Sequence, residues 1–274
     1  MRPAQPTPYA DLNAVLYEFI SRVQRVLRDD FIGAYLQGSF AIGDFDIYSD
    51  VDFLIVLEED VSDVLLPELQ SLHRQVFVLP SAWAQHLEGS YLPKAALRHL
   101  PPPTRKFLYL GHGNRELVRS NHDDSLVVYW VWRERGIALT GPDPRGLVSP
   151  VSLDALRREI LDTMVTWREQ WLANPDGLNN RFYQPFAVLS YCRMLHTLRT
   201  GTVESKRAGA AWATEVLDNR WKQLIQRAWD DRPGDPSLKV RQQADPANLG
   251  DTWQFMKYAL DLGQLWQGNP AGRM

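Results

Sequence analysis

Asp50 and Asp52 are the residues of this chain whose type and spacing most directly suggest chemistry. They stand two apart at the head of an apolar run, Val51 to Leu57. A strand's period of two puts both carboxylates on one face, close enough to share divalent cations. Gly38-Ser39 lies upstream, separated from Asp50 by the ten residues Phe40 to Ser49. Glycine lets the backbone come close to a ligand, and a serine at a helix start can offer its N–H and hydroxyl to phosphate oxygens. Aligned carboxylates suit Mg²⁺, which keeps several waters and binds the remaining phosphate oxygens. Together these residues describe a site for a metal-bound nucleoside triphosphate. A surface turn followed by a turn-forming Asp pair is the simpler alternative. A lone Asp-x-Asp would favour it, but the ordered set of strand, Gly-Ser, spacer, Asp-x-Asp and apolar strand argues against it. No other phosphate motif competes, because Gly111-His112-Gly113 lacks a third glycine and no Gly-Lys-Ser/Thr is present.

Nucleotidyl transfer over two metals needs a further carboxylate, to complete the metal site or to take the proton from an attacking hydroxyl. Glu88, 36 residues after Asp52 in a predicted strand, is the best candidate. Spacing alone leaves open that it is an exposed strand residue. Glu58 and Glu59 follow the Asp-bearing strand at its far end and are poorer candidates.

The elements that must position these residues can be read from periodicity. Pro3, Pro6 and Pro8 make an extended lead-in, and helical spacing of Leu12, Val15, Leu16, Phe19, Ile20, Val23 and Leu27 predicts a helix over Tyr9 to Leu27. Strands are expected at Phe31 to Leu36, Val51 to Leu57, Leu87 to Leu92, Glu116 to Arg119 and Ile137 to Thr140. Ser62 is expected to cap a helix running to Phe77, and Pro101-Pro102-Pro103 reads as a rigid loop. A helix is predicted over His122 to Arg135, ended by Gly136 in a left-handed cap. After Gly141-Pro142-Asp143-Pro144 the composition changes. Ser152 caps a helix with the stripe Leu153, Leu156, Ile160, Met164, Trp167 and Trp171, and further helices are expected at about 181–200, 205–216, 219–230 and 249–266. The chain therefore reads as α+β, with a domain of strands and helices over 1–150 and an all-α domain over 151–274.

Composition narrows the partners. The net charge of −3 gives no reason to expect nucleic acid, whose binding rests on clustered Lys and Arg. Cys192 is the one cysteine, so neither a disulfide framework nor a Cys-rich zinc site is possible, and it reads as a small buried apolar residue. No apolar run reaches membrane-spanning length and no signal-peptide pattern opens the chain, so a cytoplasmic protein with access to ATP is expected. The ten tryptophans fall mostly on helical stripes and read as core. The six histidines are dispersed, with no metal-ligand spacing among them.

The Gly38-Ser39/Asp50-Val51-Asp52 signature resembles the nucleotidyltransferase superfamily that shares the DNA polymerase β fold. Beyond it, Gly136 to Pro142, Leu189 to Leu195, Thr200-Gly201 and the Ser205-Lys206…Ala211-Trp212 pattern are similar to the aminoglycoside 3″/9-adenylyltransferases, which confer streptomycin and spectinomycin resistance. The resemblance runs from about Gly33 to Trp212. It implies a polymerase-β-like domain with a mixed sheet followed by a helical bundle, with ATP and drug bound between them. It implies Mg²⁺ on Asp50 and Asp52, Glu88 as catalytic base or third metal ligand, Gly38 and Ser39 at the nucleotide, and Arg193 and Lys206 at the triphosphate. A solvated Arg and Lys are the alternative, though Arg193 sits within an apolar helix. Trp171 and Asp176 keep the spacing of streptomycin-contacting residues of that family, which otherwise read as a core Trp and a Pro-Asp turn. Asn180 and Gly113 depart from the family's further drug-contacting Asp and Trp. The implied reaction is transfer of AMP from MgATP to a hydroxyl of an aminoglycoside or aminocyclitol. A nucleotidyltransferase acting on another hydroxylated metabolite or a protein side chain, or a nucleotide-binding module without turnover, are the rival readings.

Overall fold

The computed structural model describes residues 5–98, 105–232, 234 and 236–268. Pro3 and the Pro101-Pro102-Pro103 loop lie outside the described residues. The chain divides into two compact units, Met1–Val151 and Ser152–Met274.

The first unit is built on a six-stranded sheet. Its strands are β1 (Phe31–Leu36), β2 (Val51–Leu57), β3 (Leu87–Pro93), β4 (Phe107–Leu110), β5 (Leu117–Ser120) and β6 (Ile137–Thr140). They lie in the order β5-β4-β3-β2-β1-β6. Only β2 and β3 pair in parallel, so the sheet is mixed. Helices α1 (Ala10–Leu27), α2 (Gly38–Ile42), α3 (Leu66–Phe77), α4 (Lys94–Arg98), α5 (Leu126–Arg135) and α6 (Pro144–Leu147) complete the unit. The continuous apolar run of β2 has a physical reason, since both of its faces are covered. Phe53, Ile55 and Leu57 join α1 and α3 in one core, while Leu54 and Val56 join Tyr129 and Trp132 of α5 in another.

Four local expectations differ from the structure. The segment over Phe107 to Leu110 forms β4, although four residues beside a Pro-rich loop give little periodicity to read. Helix α5 begins at Leu126, not His122, because the Ser125 hydroxyl accepts from the Val128 N–H and caps it there. Gly136 is not left-handed, with φ −53° and ψ 135°. It is required for space, since a Cβ would lie 2.3 Å from the Trp132 carbonyl oxygen. Ser62 ends in a turn through its carbonyl, and α3 starts four residues later with Pro67 in its first turn.

The second unit is helical: α7 (Leu153–Ala173), α8 (Pro175–Leu178), α9 (Tyr183–Thr200), α10 (Lys206–Val216), α11 (Lys222–Asp230), α12 (Pro236–Lys239) and α13 (Pro246–Gly268). Its β structure among the described residues is one isolated bridge, Asn180 with Gln243. Helix α9 is buried on most sides, because α7, α10, α11 and α13 pack against it. Cys192, on α9, is fully buried. Gly209 lets α10 approach closely, for a Cβ there would stand 2.8 Å from the Arg193 Cα. No helix among the described residues is long and apolar enough to cross a membrane.

One buried imidazole makes the first unit's stability depend on pH. His73 of α3 is 2 % exposed, ringed by Phe19 and Phe53, with its Nε2 2.7 Å from the Tyr91 hydroxyl. Burial holds its pKa down to about 3. Between that value and the ordinary one near 6.5 the unfolded chain binds a proton that the folded chain does not. Stability therefore falls as the pH drops through this window, by up to about 1.4 kcal/mol per unit. Urea unfolding at pH 7 and pH 5 should show wild type losing about 2 kcal/mol more than His73→Gln. Equal losses would remove His73 as the cause.

Candidate active site

The candidate residues gather at one end of the sheet, where β2 and β3 begin and β1 and β4 end. The parallel register sets Asp52 opposite Glu88 and Leu54 opposite Ser90. The antiparallel register sets Ser90 opposite Tyr109. Paired residues share a face and so do alternate ones, so Asp52, Glu88, Ser90 and Tyr109 stand on the same side of the sheet. That side is apolar further along, at Leu54, Val56 and Leu92, which are buried with α5.

Gly38 occupies the turn after β1 with φ +57°. A Cβ at this position would sit 1.9 Å from the Asp52 Oδ2, so the turn lies directly against that carboxylate. Gln37, one residue earlier, donates its N–H to the Asp52 carbonyl at 2.9 Å. Ser39 follows in the first turn of α2, and its buried hydroxyl has no protein hydrogen-bond partner among the described residues. The turn and the second Asp are thus held together by backbone, as the Gly-Ser signature requires.

Asp50 and Glu88 converge with His112, each offering a ligand atom within 4.8 Å of the others. His112 Nδ1 lies 2.6 Å from Asp50 Oδ1. Asp52 is not in this trio. It lies between Gly38 and Glu88 by contact and register. The donor set of the trio, two carboxylates and an imidazole, fits a divalent cation, and Asp50 with Glu88 supplies the hard oxygens that Mg²⁺ takes. Glu88 also accepts from the Tyr109 hydroxyl through Oε1, and His122 Nε2 stands 3.4 Å from the same oxygen. The Tyr109 and His122 rings stack with centroids 4.8 Å apart. Burial raises the Glu88 pKa above the usual carboxylate range, and nearby Asp50 adds to this, while the Tyr109 hydrogen bond opposes it.

Beneath these groups Asp123 is 5 % exposed and ties two elements together. It accepts from Ser90 Oγ at 2.6 Å and from Gln37 Nε2 at 3.2 Å. Burial raises its pKa, and these two donors work against that shift. Strand β3, which carries Glu88, is therefore fastened to the residue that precedes the Gly38 turn.

The histidines are a correction to the sequence reading. Though dispersed in sequence, His86, His112 and His122 all come to this end of the sheet. His86 Nδ1 is 3.2 Å from the Ser49 carbonyl, and its ring meets that of His112 edge-on at 5.2 Å. Their separations carry no ligand spacing because they arrive from three different loops. Tyr109, Asp123 and Gln37 were equally silent, since nothing in an isolated sequence marks which residues a sheet register will bring to one carboxylate.

The remaining candidates belong to the second unit. Arg193 is half-buried in α9, with its backbone against Gly209 of α10. Lys206 opens α10 behind the Ser205 cap, and its Nζ stands 5.1 Å over the Phe186 ring. Phe186 stacks on Trp167, which meets Trp171 edge-on at 5.6 Å. Trp171 is half-buried and Asp176 is exposed on α8. Asn180 is buried as a cap, its Oδ1 accepting from the N–H groups of Phe182 and Tyr183.

Two family models match different parts of the chain. Residues 20–92 match the family model for a nucleotidyltransferase domain, and residues 146–257 match that for the C-terminal domain of aminoglycoside adenylyltransferase. A spectinomycin 9-adenylyltransferase of Staphylococcus aureus is 26% identical over 217 residues, which cover 74% of this chain and 78% of that protein. An aminoglycoside (3'') (9) adenylyltransferase of Escherichia coli is 22% identical over 247 residues, covering 86% and 90%. A crystal structure of a spectinomycin adenyltransferase from Enterococcus faecalis, with ATP and spectinomycin, superposes with a TM-score of 0.66 at 16% identity. It covers 90% of this chain and 98% of that one, and shows that the fold is shared.

The closeness of Gly38 to Asp52 can be tested by stability alone. Gly38→Ala combines left-handed strain with a clash on the carboxylate and should cost about 1–3 kcal/mol in thermal unfolding. Adding Asp52→Ala removes the clash but not the strain, so the double variant should recover part of the loss. A wild-type melting temperature for Gly38→Ala would show that the approach is not tight.

Proposed function

Because the chain belongs to the aminoglycoside adenylyltransferase family, we propose that it transfers AMP from ATP to a hydroxyl of streptomycin and of spectinomycin, releasing pyrophosphate. The observation that carries this reading is the single cluster made by the Gly38 turn, Asp52, Asp50 and Glu88. Such a cluster suits a nucleotide whose phosphates lie against a close backbone turn beside acids able to hold a cation.

Glu88 acts as the general base in this reading. Its Oε1 is held by Tyr109 and faced by His122, which leaves Oε2 to receive the proton of the acceptor hydroxyl. A carboxylate with a raised pKa is a stronger base, and burial supplies that shift. The deprotonated oxygen attacks the α-phosphorus in line and pyrophosphate departs opposite. The Gly38 turn and the Ser39 hydroxyl bind phosphate oxygens, an assignment supported by that hydroxyl being buried without a protein partner. Asp50 and Asp52, with Glu88, are the groups that would hold Mg²⁺, which when bound neutralises charge on the α-phosphate and the pyrophosphate. Arg193 and Lys206 are assigned to the triphosphate, where cations stabilise the departing charge.

Trp171 and Asp176 are assigned to the drug. An aromatic face covers a sugar ring and an acid pairs with amino or guanidino groups. Asn180 is occupied in capping α9, and so the recognition of cationic groups in this chain rests more heavily on Asp176.

Pyrophosphate release with MgATP and each drug is the direct test. If neither supports turnover, the substrate assignment fails. Glu88→Gln keeps the size of the side chain but cannot accept a proton. It should lower kcat by roughly 10²–10⁴ with ATP affinity little changed. A collapse of ATP affinity would instead make Glu88 primarily a metal ligand.

Asp176→Asn should impair streptomycin turnover more than spectinomycin turnover, because streptomycin alone of the two brings guanidinium groups to pair. A loss of about tenfold or more in kcat/KM for streptomycin is expected from one charge-assisted contact. Equal losses for both drugs would reject the assignment.

A further inference from the structure

We propose that His112 is a further protein ligand at the cation site of Asp50 and Glu88, and that it biases this site toward first-row divalent cations such as Mn²⁺ over Mg²⁺. The inference rests on the assignment of Asp50 and Glu88 as metal-holding groups but not on the identity of the drug.

Three ligand atoms, one from each residue, lie within 4.8 Å of one another. One imidazole nitrogen, Nδ1, is 2.6 Å from Asp50 Oδ1. A surface histidine that merely salt-bridges an acid needs no support from its own loop, but this one is built in. His112 lies in the connection between β4 and β5, where Gly113 takes φ +68° and Asn114 donates its N–H to the Gly111 carbonyl at 3.0 Å. The Gly113 N–H donates to the Gln85 carbonyl at 3.0 Å, fastening the loop to the segment that leads into Glu88. His86, against whose ring His112 packs, contacts the Ser49 carbonyl next to Asp50. The loop is thereby tied to both strand heads that carry the carboxylates.

The chemistry follows from the donor set. Mg²⁺ takes oxygen ligands almost exclusively and keeps its waters. Imidazole is a borderline donor that gains affinity along the first-row series. Replacing one oxygen position by nitrogen therefore discriminates against Mg²⁺. It does so without excluding it, because Asp50, Glu88, waters and phosphate oxygens remain available.

The test uses the full-length protein without nucleotide or drug, with Mn²⁺ as the probe. Electron spin-echo modulation of bound Mn²⁺ should show nitrogen coupling in wild type that disappears in His112→Ala. It should persist in His86→Ala, which removes the neighbouring imidazole as a source. Mn²⁺ affinity should fall by at least about tenfold in His112→Ala, whereas Mg²⁺, measured by competition, should change by less than about threefold. His112→Gln, which keeps bulk and polarity, should behave like the alanine variant. Unchanged melting temperatures would show that these losses are local. Mn²⁺ bound without nitrogen coupling, or equal affinity in wild type and both variants, overturns the proposal. If wild type binds no Mn²⁺, the proposal and the metal assignment fall together. Absence of drug turnover with the nitrogen signal intact would sink the substrate reading alone.

Discussion

The parallel pairing of β2 with β3 is the constraint on which the site depends. A slip of one residue would turn Glu88 to the opposite face and place it among the aromatic residues of the α1/α3 core. The pairing holds because both strands are buried over most of their length, with Leu54, Val56 and Leu92 on one face and Phe53, Ile55 and Tyr91 on the other. Each face has its own core, so neither tolerates a shift. Asp52 and Glu88 occupy the second positions of the two strands, where the apolar cover ends and polar groups can reach solvent or ligand. Fixing the register of the apolar residues therefore also fixes the relation between Asp52 and Glu88.

Side-chain hydrogen bonds then refine what the register sets coarsely. Asp123 is a buried acid, costly unless its oxygens are satisfied, and it is satisfied from Ser90 and Gln37 at once. Ser90 stands two residues from Glu88 on the same face of β3, and Gln37 immediately precedes the Gly38 turn. The same carboxylate that would be a liability in an apolar core thus holds β3 and the Gln37-Gly38 turn at a defined separation. Glu88 is treated similarly, with Tyr109 fixing one oxygen while partial burial raises its proton affinity. Burial raises the basicity of Glu88, and the Tyr109 hydrogen bond that fixes its position works against that rise.

The second unit uses a different device. Its organising helix, α9, is enclosed by four others and carries Arg193 on a partly buried face. Gly209 allows α10 to come within contact of the α9 backbone, which brings Lys206 to the aromatic group of Phe186, Trp167 and Trp171. A cation over an aromatic face is attracted to the ring's electron-rich surface. Asn180 has both ends of its amide engaged within the protein, one in capping α9 and one on the Gly177 carbonyl.

The sequence by itself determined whatever is local or periodic. The apolar alternation and runs specified the strands β1 to β3 and the amphipathic helices, because burial is read from spacing. The Gly38-Ser39 turn and the Asp-x-Asp were legible because one short segment carries the strand, the turn and the acids, and only glycine tolerates φ +57° so close to a carboxylate. Glu88 was reachable as an acid on a further strand that could complete the site of Asp50 and Asp52, though its pairing directly opposite Asp52 was not. The tertiary structure decided everything that depends on non-local register. It brought His112 to Asp50, His122 and Tyr109 to Glu88, and Asp123 to Ser90 and Gln37 across separations that no periodicity encodes. It also decided helix ends, where one hydroxyl at Ser125 outweighed the helical pattern before it, and the purpose of Gly136, which makes room for the Trp132 carbonyl. Packing and hydrogen-bond satisfaction act on neighbours in space, and a chain shows only its neighbours in sequence.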